Sequence, residues 1–352
     1  MKTVPRRPRT IQERRDIARR RVRRERQVAA GVTLGCVVVV GAFFALSQGG
    51  SGIDTSAAER ASSKTAPPPQ EPRGGRTLLP DYRVVAYYGA PQDPGLGQLG
   101  IGTPHSATAK LLTQAAPFAR PGRPVMPALE LIATLVTAAP GDDGKYRYRQ
   151  SSDLIDRYLA EARRARALLI LDIQPGRARF MDEVRAYRPY LREPDVGLAL
   201  DPEWSMRRHQ IPGQVIGSTD ASIVNQAGAY LSALVKRYDL PQKLLIVHQF
   251  TPGMIQHRRT LAEHPGVALV INIDGFGNPP NKISKYNLFA KRHPPWYNGF
   301  KLFYHEDIHM MSPRAVMHLH PRPNVIIYEL GVSPRRRTDA ARSRRRPRRR
   351  DR

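Results

Sequence analysis

Asp201 and Glu203 close an apolar run, DVGLALDPEW at 195–204, and stand two residues apart. In a strand alternate side chains share a face, so Gly197, Ala199, Asp201 and Glu203 point one way while Leu198 and Leu200 point the other. Two carboxylates on one ledge suit the hydrolysis of sugar bonds. One acid with a raised pKa gives its proton to the leaving oxygen, and a second carboxylate acts as nucleophile or base. Asp-Pro is also an ordinary turn opener, so the pair taken alone equally fits a cap beside a solvated acid.

Several other apolar runs end in the same way. ALLILDI (167–173) leads to Asp172 and Gln174 on one face, VALVINID (267–274) to Asn272 and Asp274, and FKLFYHE (300–306) to Tyr304 and Glu306. RVVAYY (83–88) ends in Tyr87 and Tyr88, and LLIVHQF (244–250) in His248, Gln249 and Phe250. Scattered burial of so many unpaired acids would cost several kcal/mol each, which favours one shared pocket. In that pocket Glu203 is the expected general acid, with Asp201, Asp172 and Asp274 as the further catalytic carboxylates. Tyr87, Tyr88 and Trp204 are the expected ring-stacking residues, and Gln174, His248, Gln249, Tyr304 and Glu306 complete the substrate-binding set.

HEDIH at 305–309 fits the H-E-x-x-H pattern of zinc peptidases, with His305 and His309 as ligands and Glu306 as base. That chemistry needs a helix to bring positions i and i+4 together, yet strand-like KLFY precedes the string and Pro313 follows it. His318 and His320 do not stand at a metzincin spacing. The sequence therefore predicts no metal and no other cofactor, and a solvent-facing histidine pair in a loop.

RVVAYYGAP and VGLALDPEW resemble the first strand and the end of the DxxDxDxE fourth strand of chitinase-type glycoside hydrolases, with Ala199 where that motif has its middle Asp. The resemblance implies that Glu203 is the proton donor and that Asp201 orients a substrate acetamido group. Muramidase barrels also use a DxE pair. Both families cleave sugar bonds of cell-wall or chitin type, which implies such a glycan as substrate. The whole chain resembles an uncharacterised group of membrane-anchored bacterial barrel proteins, which implies a TIM-like fold.

The elements that must position these residues alternate. Short apolar runs, PALELIAT (127–134) and GLALD (197–201) among them, suit buried parallel strands. Helical stripes lie between them at 151–166, 178–191, 221–238 and 282–292. About 250 residues, 81–331, match one (β/α)8 barrel. The barrel closes if the weak run GQVIG (213–217) is strand five, while NVIIYEL (324–330) makes a ninth candidate. An open doubly wound sheet is the rival, weakened because no glycine-rich phosphate fingerprint follows any strand.

The net charge is +27; residues 1–27 carry twelve Lys/Arg against three acids and 334–352 eleven against two, so each end holds nine of those charges and the rest of the chain nine. Residues 28–47 carry no charge and are long enough to cross a bilayer core. A basic arm before such a run predicts a signal anchor, with 1–27 cytoplasmic and the barrel domain extracytoplasmic at the cell membrane. A cleaved signal peptide near Ala57 and Ala58 is the alternative, and lipidation is disfavoured because Cys36 lies inside the run. Cys36 is the only cysteine, which excludes intrachain disulfides. Composition predicts a disordered linker at 48–80 and a disordered Arg-rich tail at 332–352. No aromatic residues interleave with the tail's arginines, so anionic envelope polymers are expected partners and nucleic acid is not. Function thus divides between an anchored envelope-glycan hydrolase and a non-catalytic barrel that binds glycan or protein through the same pocket.

Overall fold

The computed structural model describes residues 67–291 and 295–330. Eight parallel strands close into a barrel: β1 (Arg83–Gly89), β2 (Val125–Val136), β3 (Leu168–Ile173), β4 (Val196–Leu200), β5 (Lys243–Gln249), β6 (Val267–Ile273), β7 (Tyr297–Phe303) and β8 (Val325–Glu329). Each pairs with the next, and β1 pairs with both β2 and β8, which completes the ring. A short antiparallel strand, Arg147–Arg149, hangs on the end of β2.

Period-two alternation decides which side chains face in. Val84 and Ala86 of β1, Met126 and Ala128 of β2, Leu168 and Ile170 of β3, and Leu244 and Ile246 of β5 form the inner core. Val85, Leu129, Leu169 and Leu245 join the outer core beneath the helices. Small residues leave room inside the ring at β4, where a Cβ on Gly197 would meet the Leu244 side chain at 3.3 Å. The sequence expectation for the Gly197 and Ala199 face is met.

The outer layer comprises α1 (Pro104–Ala115), α2 (Ser152–Arg164), α3 (Phe180–Ala186), α4 (Ala221–Tyr238), α5 (Pro279–Phe289) and the short α6 (Pro313–Met317). Ser151 caps α2 by accepting from the Leu154 N–H, and Ile155, Tyr158, Leu159 and Ala162 form its buried stripe. Between β5 and β6 the described chain has no α-helix, only the 3-10 turns Pro252–Met254 and Arg258–Thr260 and a two-residue strand, Ile255–Gln256, that pairs with Thr219–Asp220.

Two sequence expectations are corrected. GQVIG is not a barrel strand; NVIIYEL supplies β8, so LLIVHQF is strand five and VALVINID strand six. Gly217 instead packs against the turn that follows β4, leaving no partner strand for its run. The linker also ends sooner than its composition suggests. Leu78 and Leu79 are buried in the inner core, their N–H groups donate to Gln242 Oε1 at 3.0 and 2.8 Å, and Arg76 pairs with Asp239 at 2.7 Å. This segment plugs the base of the barrel, at the strands' amino ends. The basic arm, the span at 28–47, residues 48–66 of the linker and the Arg-rich tail lie outside the described residues; among those described, no helix is long and apolar enough to cross a membrane.

Candidate functional site

Above the apolar inner layers, each strand places a polar side chain in the barrel. Tyr88 of β1, Glu130 of β2, Asp172 of β3 and Asp201 just past β4 follow the inward parity of their strands. Facing them are His248 of β5, Asn272 of β6 with Asp274 just beyond it, Lys301 of β7 and Glu329 of β8. Glu130, Asp172, His248 and Asn272 are fully buried, whereas Asp201 and Asp274 keep 5% and 7% of their surface exposed. The cluster thus runs from a sealed floor to a rim at the strands' carboxyl ends, where barrels carry their chemistry.

Hydrogen bonds join it into one network. The Tyr88 hydroxyl donates to Asp172 Oδ2 at 3.0 Å and accepts from Gln174 Nε2 at 2.9 Å. His248 spans the interior, with Nδ1 3.0 Å from Asp274 Oδ2 and Nε2 2.9 Å from Glu130 Oε1. Asn272 Nδ2 donates to the other Asp274 oxygen. Gly299 permits this arrangement, because a Cβ there would collide with Asn272 Oδ1. Lys301 Nζ lies 3.3 Å from Asp274 Oδ2, 2.9 Å from Glu329 Oε2 and 3.8 Å above the Tyr88 ring. Oxygens Glu130 Oε2 and Asp172 Oδ1 are buried without a hydrogen-bond partner.

The charges shift one another's protonation. Burial, reinforced by the Asp201 charge, raises Asp172 well above the usual carboxylate range. Burial lifts Asp201 to about 6, with His248 and Lys301 opposing that rise. For His248, burial disfavours the cation, but Asp274 and Glu130 outweigh it and hold the imidazolium well above the ordinary histidine range. Lys301 is likewise held charged against its burial, chiefly by Asp274 and Glu329.

The sequence-derived site is partly gathered here and partly divided. Asp172, Asp201, Asp274, Tyr88, Gln174 and His248 come together in the interior network. Glu203 does not continue the strand parity, because β4 stops at Leu200 and Pro202–Trp204 forms a 3-10 turn. Asp201 Oδ1 accepts from the Glu203 N–H at 3.3 Å, and the Gly217 N–H donates to the Glu203 carbonyl at 2.7 Å. A Cβ on Gly217 would sit 2.5 Å from Pro202 O, so glycine allows the close approach that fixes this turn. Glu203 and Trp204 are partly exposed beside Asp201.

Tyr87 and Tyr304 lie elsewhere. Tyr87 faces outward, its hydroxyl is 3.4 Å from that of Tyr304, and Tyr304 donates to Gln114 Oε1 at 2.9 Å. Both line an open depression of about 540 Å³ beside Lys110 and Gln114 of α1, outside the barrel. Tyr304 keeps the outward parity of Phe300 and Leu302, one residue out of step with the inward Lys301. Gln249 is buried on the outward parity of β5 and donates to Thr251 O. Glu306 lies in a turn, as do His305 and His309, and His309 has a φ of 56°, so HEDIH lacks the helix a zinc peptidase requires. Its Asp307 anchors that turn by pairing with Lys282 at 3.0 Å.

Glu130, Lys301 and Glu329 are site residues that the sequence reading missed. Each is a charged residue at an inward position of an apolar run, and that parity was the available signal. Among the described residues, Glu130, Asp172 and His248 are the group whose ligand-type atoms all lie within 4.8 Å of one another. Fold and site together define an α/β barrel of the TIM type with an acid-rich interior. No family model, curated protein or solved structure matches the chain.

Proposed function

We propose that this protein is a membrane-anchored, extracytoplasmic glycoside hydrolase acting on a cell-envelope glycan at the barrel mouth, with Glu203 as general acid. The observation that carries the reading is the junction of Asp201 with the Glu203 turn. Glu203 is partly exposed, and its backbone N–H is held by Asp201, itself a member of the buried acid network. A polymer cannot enter the sealed floor, so chemistry on a glycan belongs at this rim. Asp201, lifted to about 6 and two residues before Glu203, suits the role of orienting a substrate amide or sharing a proton, while Trp204 offers a ring face. Asp274, also at the rim, is the alternative second carboxylate.

A binding barrel that uses the same mouth without turnover is the competing reading. It draws on the interior acids being tied to Tyr88, His248 and Lys301 rather than exposed in a cleft. The Glu203→Gln variant of the full-length protein separates the two. The hydrolase reading expects glycan retention to persist while release of reducing ends falls by about two or more orders of magnitude. Wild-type protein that retains glycan but releases nothing supports the binder, and an unimpaired Gln variant removes Glu203 from the mechanism.

A further inference from the structure

Within the barrel, Glu130, Asp172, Asp201, Asp274 and the partly exposed Glu329 are gathered around Lys301 and His248. Even with both partners charged, the carboxylates are in excess, and buried charge without a partner is costly. The shortfall is greatest at the floor. Lys301 serves Asp274 and Glu329 near the rim, while Glu130 Oε2 and Asp172 Oδ1, both on fully buried side chains, have no hydrogen-bond partner.

We propose that Glu130, Asp172 and His248 form a binding site for one divalent transition-metal ion of the zinc or manganese class. The histidine is set up as a metal ligand. Its Nδ1 meets Asp274 Oδ2 at 3.0 Å, and Asp274 is itself fixed by Asn272 and Lys301, which leaves Nε2 directed at Glu130. A ring nitrogen bound to a carboxylate orients the other nitrogen toward a metal, the outer-shell arrangement common to metal-binding histidines. Nε2 and Glu130 Oε1 are 2.9 Å apart. Two ligands about 2.1 Å from one ion and at right angles are separated by about 3 Å. Asp172 completes a set within 4.8 Å, so a side-chain adjustment of about 1–2 Å at the widest pair brings all three within reach of one ion. One imidazole with two carboxylates favours a borderline transition metal over magnesium or calcium, which prefer oxygen alone.

The expectation of no metal that follows from weighing His305 and His309 with His318 and His320 is set aside by this inference, which does not rest on the hydrolase reading; binding, not turnover, tests it. Untagged full-length protein in detergent is stripped with a chelator, dialysed, and titrated separately with Zn²⁺, Mn²⁺, Mg²⁺ and Ca²⁺. The expected result is one Zn²⁺ or Mn²⁺ per chain and a melting temperature raised by about 5–10 °C at a hundredfold excess over Kd. Glu130→Gln and Asp172→Asn should each weaken binding by roughly a hundredfold, and His305→Ala should leave it unchanged. Should either acid variant fail to fold, Co²⁺ added to wild type and to His305→Ala decides: the same visible absorption band in both supports the floor site. No ion bound above background, binding unaffected in the folded acid variants, binding of Mg²⁺ or Ca²⁺ alone, or loss in His305→Ala would each overturn the proposal.

Discussion

Replacing Asp201 with Asn removes one charge from the rim while keeping the side chain's shape and its acceptor for the Glu203 N–H. Asp201 is faced by Asp172 from β3, His248 from β5, Asp274 beyond β6, Lys301 from β7 and Glu329 from β8. Burial raises it from 3.8 to about 6, so the folded chain holds a proton there that the unfolded chain has released. Stability contributed by this group is therefore fully present below pH 3.8 and is lost as pH rises through 6. At 1.36 kcal/mol per unit of pKa, the loss at neutral pH is about 3 kcal/mol, an order-of-magnitude figure. Asp201→Asn escapes that loss. Metal-free variant should be more stable than wild type at pH 7, by about 6–12 °C in melting temperature for a domain of this size, and equal to it near pH 4. Paired circular-dichroism melts at the two pH values provide the assay. A variant less stable than wild type at pH 7 would show that Asp201 is held ionised by its cationic neighbours, and an advantage unchanged at pH 4 would show that the gain does not come from its titration; either refutes the reasoning.

Three other perturbations probe the same architecture. Lys301→Met strips the ammonium from Asp274 and Glu329, and urea unfolding should register a loss of about 3–5 kcal/mol; an unchanged midpoint would mean that Lys301 is not their counter-charge. Asp307→Ala, which breaks the buried pair with Lys282, should cost about 3 kcal/mol, whereas exposed His305→Ala should stay within about 0.5 kcal/mol, and the reverse ranking would return attention to the HEDIH motif. Protease added to intact cells should degrade the barrel and spare the basic arm, with complete protection reversing the proposed topology.

The barrel was legible because buried parallel strands write their period of two directly into the chain. PALELIAT, ALLILDI, VALVINID and their counterparts all became strands, and the helical stripes at 151–166 and 221–238 became α2 and α4. Parity also brought Asp172, Asp201, His248 and Asp274 to one interior. It failed at Glu203, where Pro202 turns the chain before the acid is reached, and at Tyr304, which shares the outward parity of Phe300 and Leu302 while Lys301 faces in. Glu130 and Lys301 were overlooked because an acid or a lysine within an apolar run looks like an interruption of the strand. Only ring closure shows that such positions share one centre. GQVIG misled because a glycine that lets backbones touch, as Gly217 does against the Glu203 turn, leaves the same sequence trace as a weak strand.

The plug formed by Leu78 and Leu79 gives the molecule a direction. The chain enters at the closed base and, because all eight strands run parallel, leaves from Glu329 at the open rim. The described chain thus runs from the foot of a cup to its lip, and its two ends lie at opposite ends of the barrel. Glu329, one residue from the end of the described chain, stands at that lip and pairs there with Lys301 of the acidic well.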